Sequence, residues 1–319
     1  MKKLAGTMLL ALAATLAHGQ AANYPSKPIR ILVPFTAGSG ADSSSRIYGE
    51  LLSRLFGQPV LVENRPGGSG ILAVQAVKSA PADGHTILMA SNSPMTVNPV
   101  MMKNLPYDPI RDFRPVIGAS KSPVAFIVRA ESPYKTIKDL VEGAKKAGGP
   151  LAVGNYSAGY ELIGAWLGAV AGLPITAVTY KGGAPMMTDI IGGQLVTGAI
   201  DFTGAAPLIK EGRLRALAIT SDKRDPAFPD VPTMKESGYP EFESYVWASF
   251  FIRAETPDDI TQKLYEGFKK VMASPEGRAY QASQPAMLMD LGPAELRAFV
   301  VGELERFKRV AQAAGIQPR

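Results

Sequence analysis

The segment Pro34-Phe35-Thr36-Ala37-Gly38-Ser39-Gly40-Ala41-Asp42-Ser43 follows an apolar run and leads into an amphipathic stretch. Its glycines, hydroxyls and carboxylate admit three chemistries: a phosphate cradle, a nucleophilic serine, or bare backbone N–H groups offered to another anion. A dinucleotide fingerprint needs a third glycine, and Gly38-Ser39-Gly40-Ala41-Asp42-Ser43 ends in serine. Glu63 stands 23 residues after Gly40, near the spacing of a ribose-binding acid, but Pro34 to Ala37 delays the turn. No Lys-Ser/Thr pair follows, so a P-loop is excluded. Ser43, Ser44 and Ser45 offer hydroxyls, yet the chain has only two histidines, His18 and His85, and no G-x-S-x-G elbow. Ser132-Pro133-Tyr134-Lys135 matches S-x-x-K, but a serine followed by proline also caps a helix, here one expected over 135–146. The chemistry that survives is anion binding. Aligned peptide dipoles leave about half a positive charge at a helix N-terminus, worth roughly 0.3 to 2 kcal/mol. Capping alone would equally explain Ser43 and Ser157.

Such a site needs strand-to-helix turns, and the sequence supplies two. IRILV before the loop reads as a buried strand, and Ile47, Leu51, Leu52, Leu55 and Phe56 mark one helical face, with Asp42 or Ser43 placed to cap its start. Gly57-Gln58-Pro59 ends that helix, and VLVEN (60–64), a glycine-rich turn, a helix over 71–78 and a strand over 85–91 follow. The pattern then returns. LAVGN (151–155) reads as a strand, Tyr156-Ser157-Ala158-Gly159 as a polar loop, and Leu162, Ile163, Trp166, Leu167 and Val170 as a helical face. Gly57, Pro59, Gly67 and Gly68 each find a matching residue 115 positions on, at Gly172, Pro174, Gly182 and Gly183. This echo predicts two similarly built α/β lobes with parallel strands and a cleft between them, where two helix N-termini could hold both ends of a diacid. Tyr156 and Tyr160 either stack on a ligand there or pack against Trp166. Gly38 and Gly40 are expected to tolerate no bulky side chain, and Asp42→Asn to preserve the fold while weakening binding.

Composition narrows the classes further. The chain has 319 residues, 46% hydrophobic and 19% charged, a balance that supports two packed domains. Lys2 and Lys3 precede the apolar stretch 8–16 and a small-residue region, the layout of a cleaved export signal over 1–21. Its removal takes the formal charge from +6 to +4 and leaves His85 as the lone histidine. The basic residues are dispersed, which argues against nucleic acid. With no cysteine, disulfides, thiol catalysis and zinc sites built on Cys or paired His are excluded, and neither metal nor organic cofactor is expected.

VPFTAGSGAD (33–42), ENRPGGSG (63–70), NPVMMKNLPYDPIRDF (98–113), YKGGAPMMTDIIGGQ (180–194), GRLRALAITSDKR (212–224) and FPDVPTMKESG (228–238) together resemble the extracytoplasmic receptors of tripartite tricarboxylate transporters, the Bordetella uptake gene family. The resemblance runs from about Tyr24 to the C-terminus. It implies a type II periplasmic-binding-protein fold with two α/β lobes joined by crossing strands, lobe 1 formed by 24–124 plus 246–319 and lobe 2 by 125–245, closing over ligand about hinges near 124 and 245. It further implies a periplasmic, non-enzymatic monomer that captures a small carboxylate (a di- or tricarboxylate, amino acid or aromatic acid) and delivers it to membrane transporter subunits or a sensor. The family's ligand contacts map onto Thr36, Gly38, Ser39, Gly40, Asp42 and Ser43 in the first loop, Ser91, Asn92 and Ser93 after the third strand, and Tyr156, Ser157, Tyr160 and Asp201 in the second lobe. Asp42 is implied to organise the loop. Ala37 and Ser39 replace a proline and a glycine common there.

Overall fold

The protein is described by a computed structural model over residues 23–284 and 286–318; the expected signal segment, 1–21, lies outside these residues. Strand β1 (Ile29–Val33) leads through the glycine loop to helix α1 (Gly40–Phe56), then β2 (Val60–Asn64), α2 (Ile71–Lys78) and β3 (Thr86–Ser91). All six residues of β3 are buried, as a strand covered by helices on both faces requires. After a short helix α3 (Asn98–Met101), the long strand β4 (Phe113–Arg129) leads to α4 (Ile137–Ala147). The opening pattern then repeats as β5 (Leu151–Asn155), α5 (Ala158–Ala171), β6 (Ile175–Thr179), α6 (Gly183–Ile191) and β7 (Thr197–Asp201). Helix α7 (Phe202–Lys210), β8 (Leu214–Ile219), β9 (Tyr245–Arg253), α8 (Asp258–Met272), α9 (Pro275–Ser283), β10 (Met287–Leu288) and α10 (Pro293–Ala313) complete the chain.

The strands run in the order β2-β1-β3-β9-β4-β7-β5-β6. β1 is parallel to β2 and β3, β5 is parallel to β6 and β7, and β9 is antiparallel to both β3 and β4. β4 is the member common to both halves. Its residues from Phe113 to Pro123 pair with β9, and those from Val124 onward pair with β7 and β8. Parallel order around β1 and β5 brings the carboxyl ends of β1, β3, β5 and β7 toward one region, the usual place for ligands in α/β sheets.

Separate apolar cores hold the halves. Tyr48, Leu51 and Leu52 of α1 pack on Ile29, Ile31 and Phe250, whereas Leu162, Ile163 and Leu167 of α5 pack with Trp166, which stacks on Phe242 at 4.1 Å between centroids. Val170, expected on that apolar face, is exposed instead. Helix α10 touches both halves: Leu296 and Val300 pack with Leu88 and Phe251, while Phe307, Val310 and Ala311 join the Trp166 cluster. The two echo helices end alike, at Gly57 and Gly172 with φ of 68° and 60°, the left-handed conformation that favours glycine.

Two capping expectations are corrected. Helix α1 begins two residues earlier than expected, because Ser39, not Asp42 or Ser43, accepts the Asp42 N–H at 3.2 Å. Helix α4 is opened by Thr136, whose hydroxyl accepts the Asp139 N–H at 3.0 Å while the Asp139 carboxylate accepts the Thr136 N–H at 2.9 Å. Ser132 lies ahead of this capping box and accepts the Tyr134 N–H, and Lys135 donates to its carbonyl rather than its hydroxyl.

Candidate ligand-binding cleft

The loop after β1 is held rigid by a carboxylate turned away from the cleft. Asp42, 3% exposed, accepts the Gly38 N–H (2.9 Å) and Arg46 Nε (3.2 Å) on Oδ2, and Asn64 Nδ2 (2.9 Å) and Arg46 (2.9 Å) on Oδ1. Asn64 Nδ2 also reaches the Phe35 carbonyl, tying the loop to the end of β2. Burial pulls the Asp42 carboxyl upward, but the hydrogen bonds from Arg46, Gly38 and Asn64 outweigh it and leave the group below the usual aspartate range. Gly38 has φ 82°, so it alone of the two loop glycines needs glycine for its backbone. A Cβ at Gly40 would meet no protein atom within 4 Å, so a side chain there would project into open space.

Four first-turn N–H groups of a helix lack intrahelical partners. In α1 the Asp42 N–H is taken by Ser39 Oγ and the Ser43 N–H by the Ser39 carbonyl. Those of Gly40 and Ala41 are left for the hollow that both residues line. The α5 end, expected to offer a second anion site, meets the other half directly. Its Ala158 and Gly159 N–H groups donate to Ser69 Oγ (3.2 Å) and Ser93 Oγ (3.1 Å), hydroxyls from the β1–β3 half, and Ser93 Oγ donates to Ser157 Oγ at 2.9 Å. These bonds clasp the halves together, and the Ala158 and Gly159 amides are spent on them.

The hollow opens to solvent and is walled by Ser39, Gly40, Ser91, Asn92, Ser93, Tyr156, Ser157, Tyr160 and Asp201 of the expected residues. Thr36 and Gly38 line an adjoining open space, bordered by the two glycine turns at 66–70 and 181–184. Asp42 and Ser43 line neither. Phe35, Tyr48, Trp247 and Tyr280 are additional walls that sequence reasoning missed. Tyr48 was legible only as part of an apolar helix face, and Trp247 and Tyr280 reach the hollow from β9 and α9, far along the chain.

Tyr156 and Tyr160 face each other at 4.5 Å, both hydroxyls turned to Asp201 Oδ1 (Tyr160 at 3.3 Å), while Asp201 Oδ2 accepts the Gly204 N–H at 2.8 Å. Burial, and then the charge of Asp201, push both phenols well above the ordinary tyrosine value, so they stay protonated donors. Tyr160 lies in the same apolar cluster as Trp166, with Tyr156 packed against it, while the tyrosines' hydroxyls meet Asp201. Ser91 Oγ, Asn92 Nδ2 and Trp247 Nε1 are buried with no partner among the described residues, and all three residues line the hollow. An unpaired buried donor costs about 1 to 3 kcal/mol, which a bound acceptor would recover.

Hydrolytic chemistry finds no assembled pair here. Ser44 and Ser45 donate to the Ala41 carbonyl, and the His85 ring lies between the Asp83 carbonyl and the Ser26 N–H. No group of three metal-ligating side chains occurs among the described residues.

The fold is that of a periplasmic binding protein: the structure of the periplasmic binding protein BugD aligns with a TM-score of 0.87 at 30% identity, over 93% of this chain and 100% of that one. Rpa4515 of R. palustris, solved with adipate, aligns with the same TM-score, identity and coverage. A UPF0065 protein of Bordetella bronchiseptica is 35% identical over 327 residues, 99% of this chain and 95% of that one. The family described as tripartite tricarboxylate transporter family receptor matches residues 45–316. The chain belongs to that receptor family, which is also the Bug family that its motifs resemble.

The corrected capping gives a direct test. Ser39→Ala should cost about 0.5 to 2 kcal/mol of stability. Ser43→Ala, which removes neither a cap nor a cleft wall, should stay within about 0.5 kcal/mol of the parent. Urea denaturation of both variants decides, and equal losses would contradict the assignment.

Proposed function

We propose that this protein is a periplasmic receptor that captures a small carboxylate between two lobes, 24–124 with 246–319 and 125–245, and delivers it to the membrane subunits of a tripartite tricarboxylate transporter. It acts as a monomer without a cofactor, and export removes the segment 1–21. One observation carries the reading: free helix N–H groups at Gly40 and Ala41 share a hollow with three buried unpartnered polar groups, at Ser91, Asn92 and Trp247. Together they suit an anion's oxygens without a lysine or arginine. Asp42 holds the loop in shape from behind, and Ser39, Ser93, Tyr156, Ser157, Tyr160 and Asp201 complete the walls. The adipate held by Rpa4515 supports a carboxylate as the ligand class.

A thermal-shift screen of aliphatic and aromatic mono-, di- and tricarboxylic acids and amino acids tests the reading. A ligand at about 100 times its Kd adds roughly 2.7 kcal/mol of stability. At least one acid is expected to raise Tm in a saturable way. A screen in which no carboxylic acid does so, on protein freed of ligand by unfolding and refolding, refutes the proposal.

A further inference from the structure

The hollow is polarised, and its polarity selects among carboxylates. Its donors are the Gly40 and Ala41 N–H groups at the head of α1 and the unpartnered Asn92 Nδ2 and Trp247 Nε1, each side chain about 2% exposed. Its acceptors gather at Asp201. The Tyr156 hydroxyl is bonded to Asp201 Oδ1, and the Tyr160 hydroxyl lies 3.3 Å from that oxygen and 3.0 Å from the Tyr156 hydroxyl, so the two phenols form one network ending on Asp201, whose Oδ2 keeps a lone pair beyond the one used by Gly204. Asp201 is the sole formally charged side chain among the described residues that line the space. A second ligand carboxylate placed there would meet a like charge, and Lys181 borders the adjoining space rather than the hollow itself. Two of the first-turn amides of α5, those of Ala158 and Gly159, are already engaged by Ser69 and Ser93. Between the two poles the walls are aromatic, with Phe35, Tyr48, Tyr156, Tyr160, Trp247 and Tyr280, suited to a flat ring by offset or edge stacking.

Resting on the receptor reading above, we propose that the ligand is a planar aromatic acid with one carboxylate, held at the Gly40–Ala41 end, and an O–H or N–H donor directed at the Asp201–Tyr156–Tyr160 cluster. Hydroxy- and amino-substituted aromatic acids have this pattern; flexible aliphatic diacids do not.

Calorimetry with 4-hydroxybenzoate, 3-hydroxybenzoate, benzoate, terephthalate and adipate tests it. One hydroxybenzoate should bind at least about tenfold tighter than benzoate, the gain of one buried hydrogen bond, and at least about tenfold tighter than terephthalate or adipate. Asp201→Asn is the control on cause. Asparagine is a good helix cap and keeps an oxygen for the Gly204 N–H, so α7 is retained, while the like charge is gone. The preference for the hydroxybenzoate over terephthalate should then shrink about tenfold or more. Terephthalate or adipate binding as tightly as the hydroxybenzoates, an unchanged preference in Asp201→Asn, or silence from all five acids overturns the proposal. A diacid that binds tightly in the wider screen refutes only this selectivity and leaves the carboxylate receptor standing, whereas a wholly silent screen removes the receptor reading itself.

Discussion

Gly159→Val is expected to weaken ligand capture on the order of a hundredfold while leaving both halves folded. A Cβ at this position would lie 2.8 Å from Ser93 Oγ and 2.9 Å from Asn92 Nδ2, closer than real Cβ contacts come. Neither side chain has room to retreat, because both are buried and Ser93 Oγ is bonded to Ser157 and to the Gly159 N–H. Interiors packed at crystal density do not absorb such overlap by compression. The colliding groups belong to different halves, however: Gly159 sits on α5, and Ser93 follows β3. Separation of the halves relieves the clash without disturbing either core, so the variant should fold, remain open and bind on the order of a hundredfold more weakly, about 2.7 kcal/mol. Calorimetry would measure the loss, and small-angle scattering would show a radius of gyration that saturating ligand fails to reduce. Parental affinity with normal compaction would mean that the α5 contact is not part of closure.

Asp42→Asn is expected to cost stability as well as affinity, where sequence alone suggests a preserved fold with weakened binding. Every partner of the Asp42 carboxylate is a donor: the Gly38 N–H, Asn64 Nδ2 and the Arg46 guanidinium. An amide must turn its own NH₂ toward one of them, leaving a buried donor unpaired at about 1 to 3 kcal/mol, and the Arg46 pairing is lost besides. The pH dependence carries a distinct signature. Because the folded-state carboxyl lies below its ordinary value, its contribution to stability is fully present above the unfolded aspartate pKa of roughly 3.9 and is lost as pH falls through the lowered folded value. Urea midpoints followed from pH 7 down to pH 3 should therefore converge for parent and Asp42→Asn at the acid end. A constant gap across that range, or no gap at neutral pH, would contradict the assignment. The loop carries the Gly40 and Ala41 amides, so ligand affinity should fall with the loss of its brace.

The order of elements was legible because it is written in local pattern. Val60–Asn64 and Ile175–Thr179 fall at the same 115-residue offset as the glycines that flagged the repeat, and Gly57 and Gly172 end their helices in the same left-handed geometry. Most of the first loop and Asn92, Tyr156, Tyr160 and Asp201 were legible through the family's motifs. Side-chain direction was not. Asp42 turns inward because four donors converge on it, and one of those donors, Asn64, is supplied by β2, 22 residues on. The link from Tyr156 and Tyr160 to Asp201 spans more than 40 residues and exists only because β5 and β7 are parallel neighbours. Trp247 and Tyr280 carry no local signal for a cleft; β9, threaded between β3 and β4, puts the first of them there. The capping of α5 by Ser69 and Ser93 likewise depends on the two halves meeting.

The most direct measurement is a crystal structure of the protein with the carboxylic acid that stabilises it most in the thermal screen. The account predicts the acid in the hollow between the halves, with carboxylate oxygens about 2.7 to 3.2 Å from the Gly40 and Ala41 nitrogens and with Asn92 or Trp247 supplying a further donor. An acid bound elsewhere, or bound in the hollow with its carboxylate remote from both amides, would contradict it.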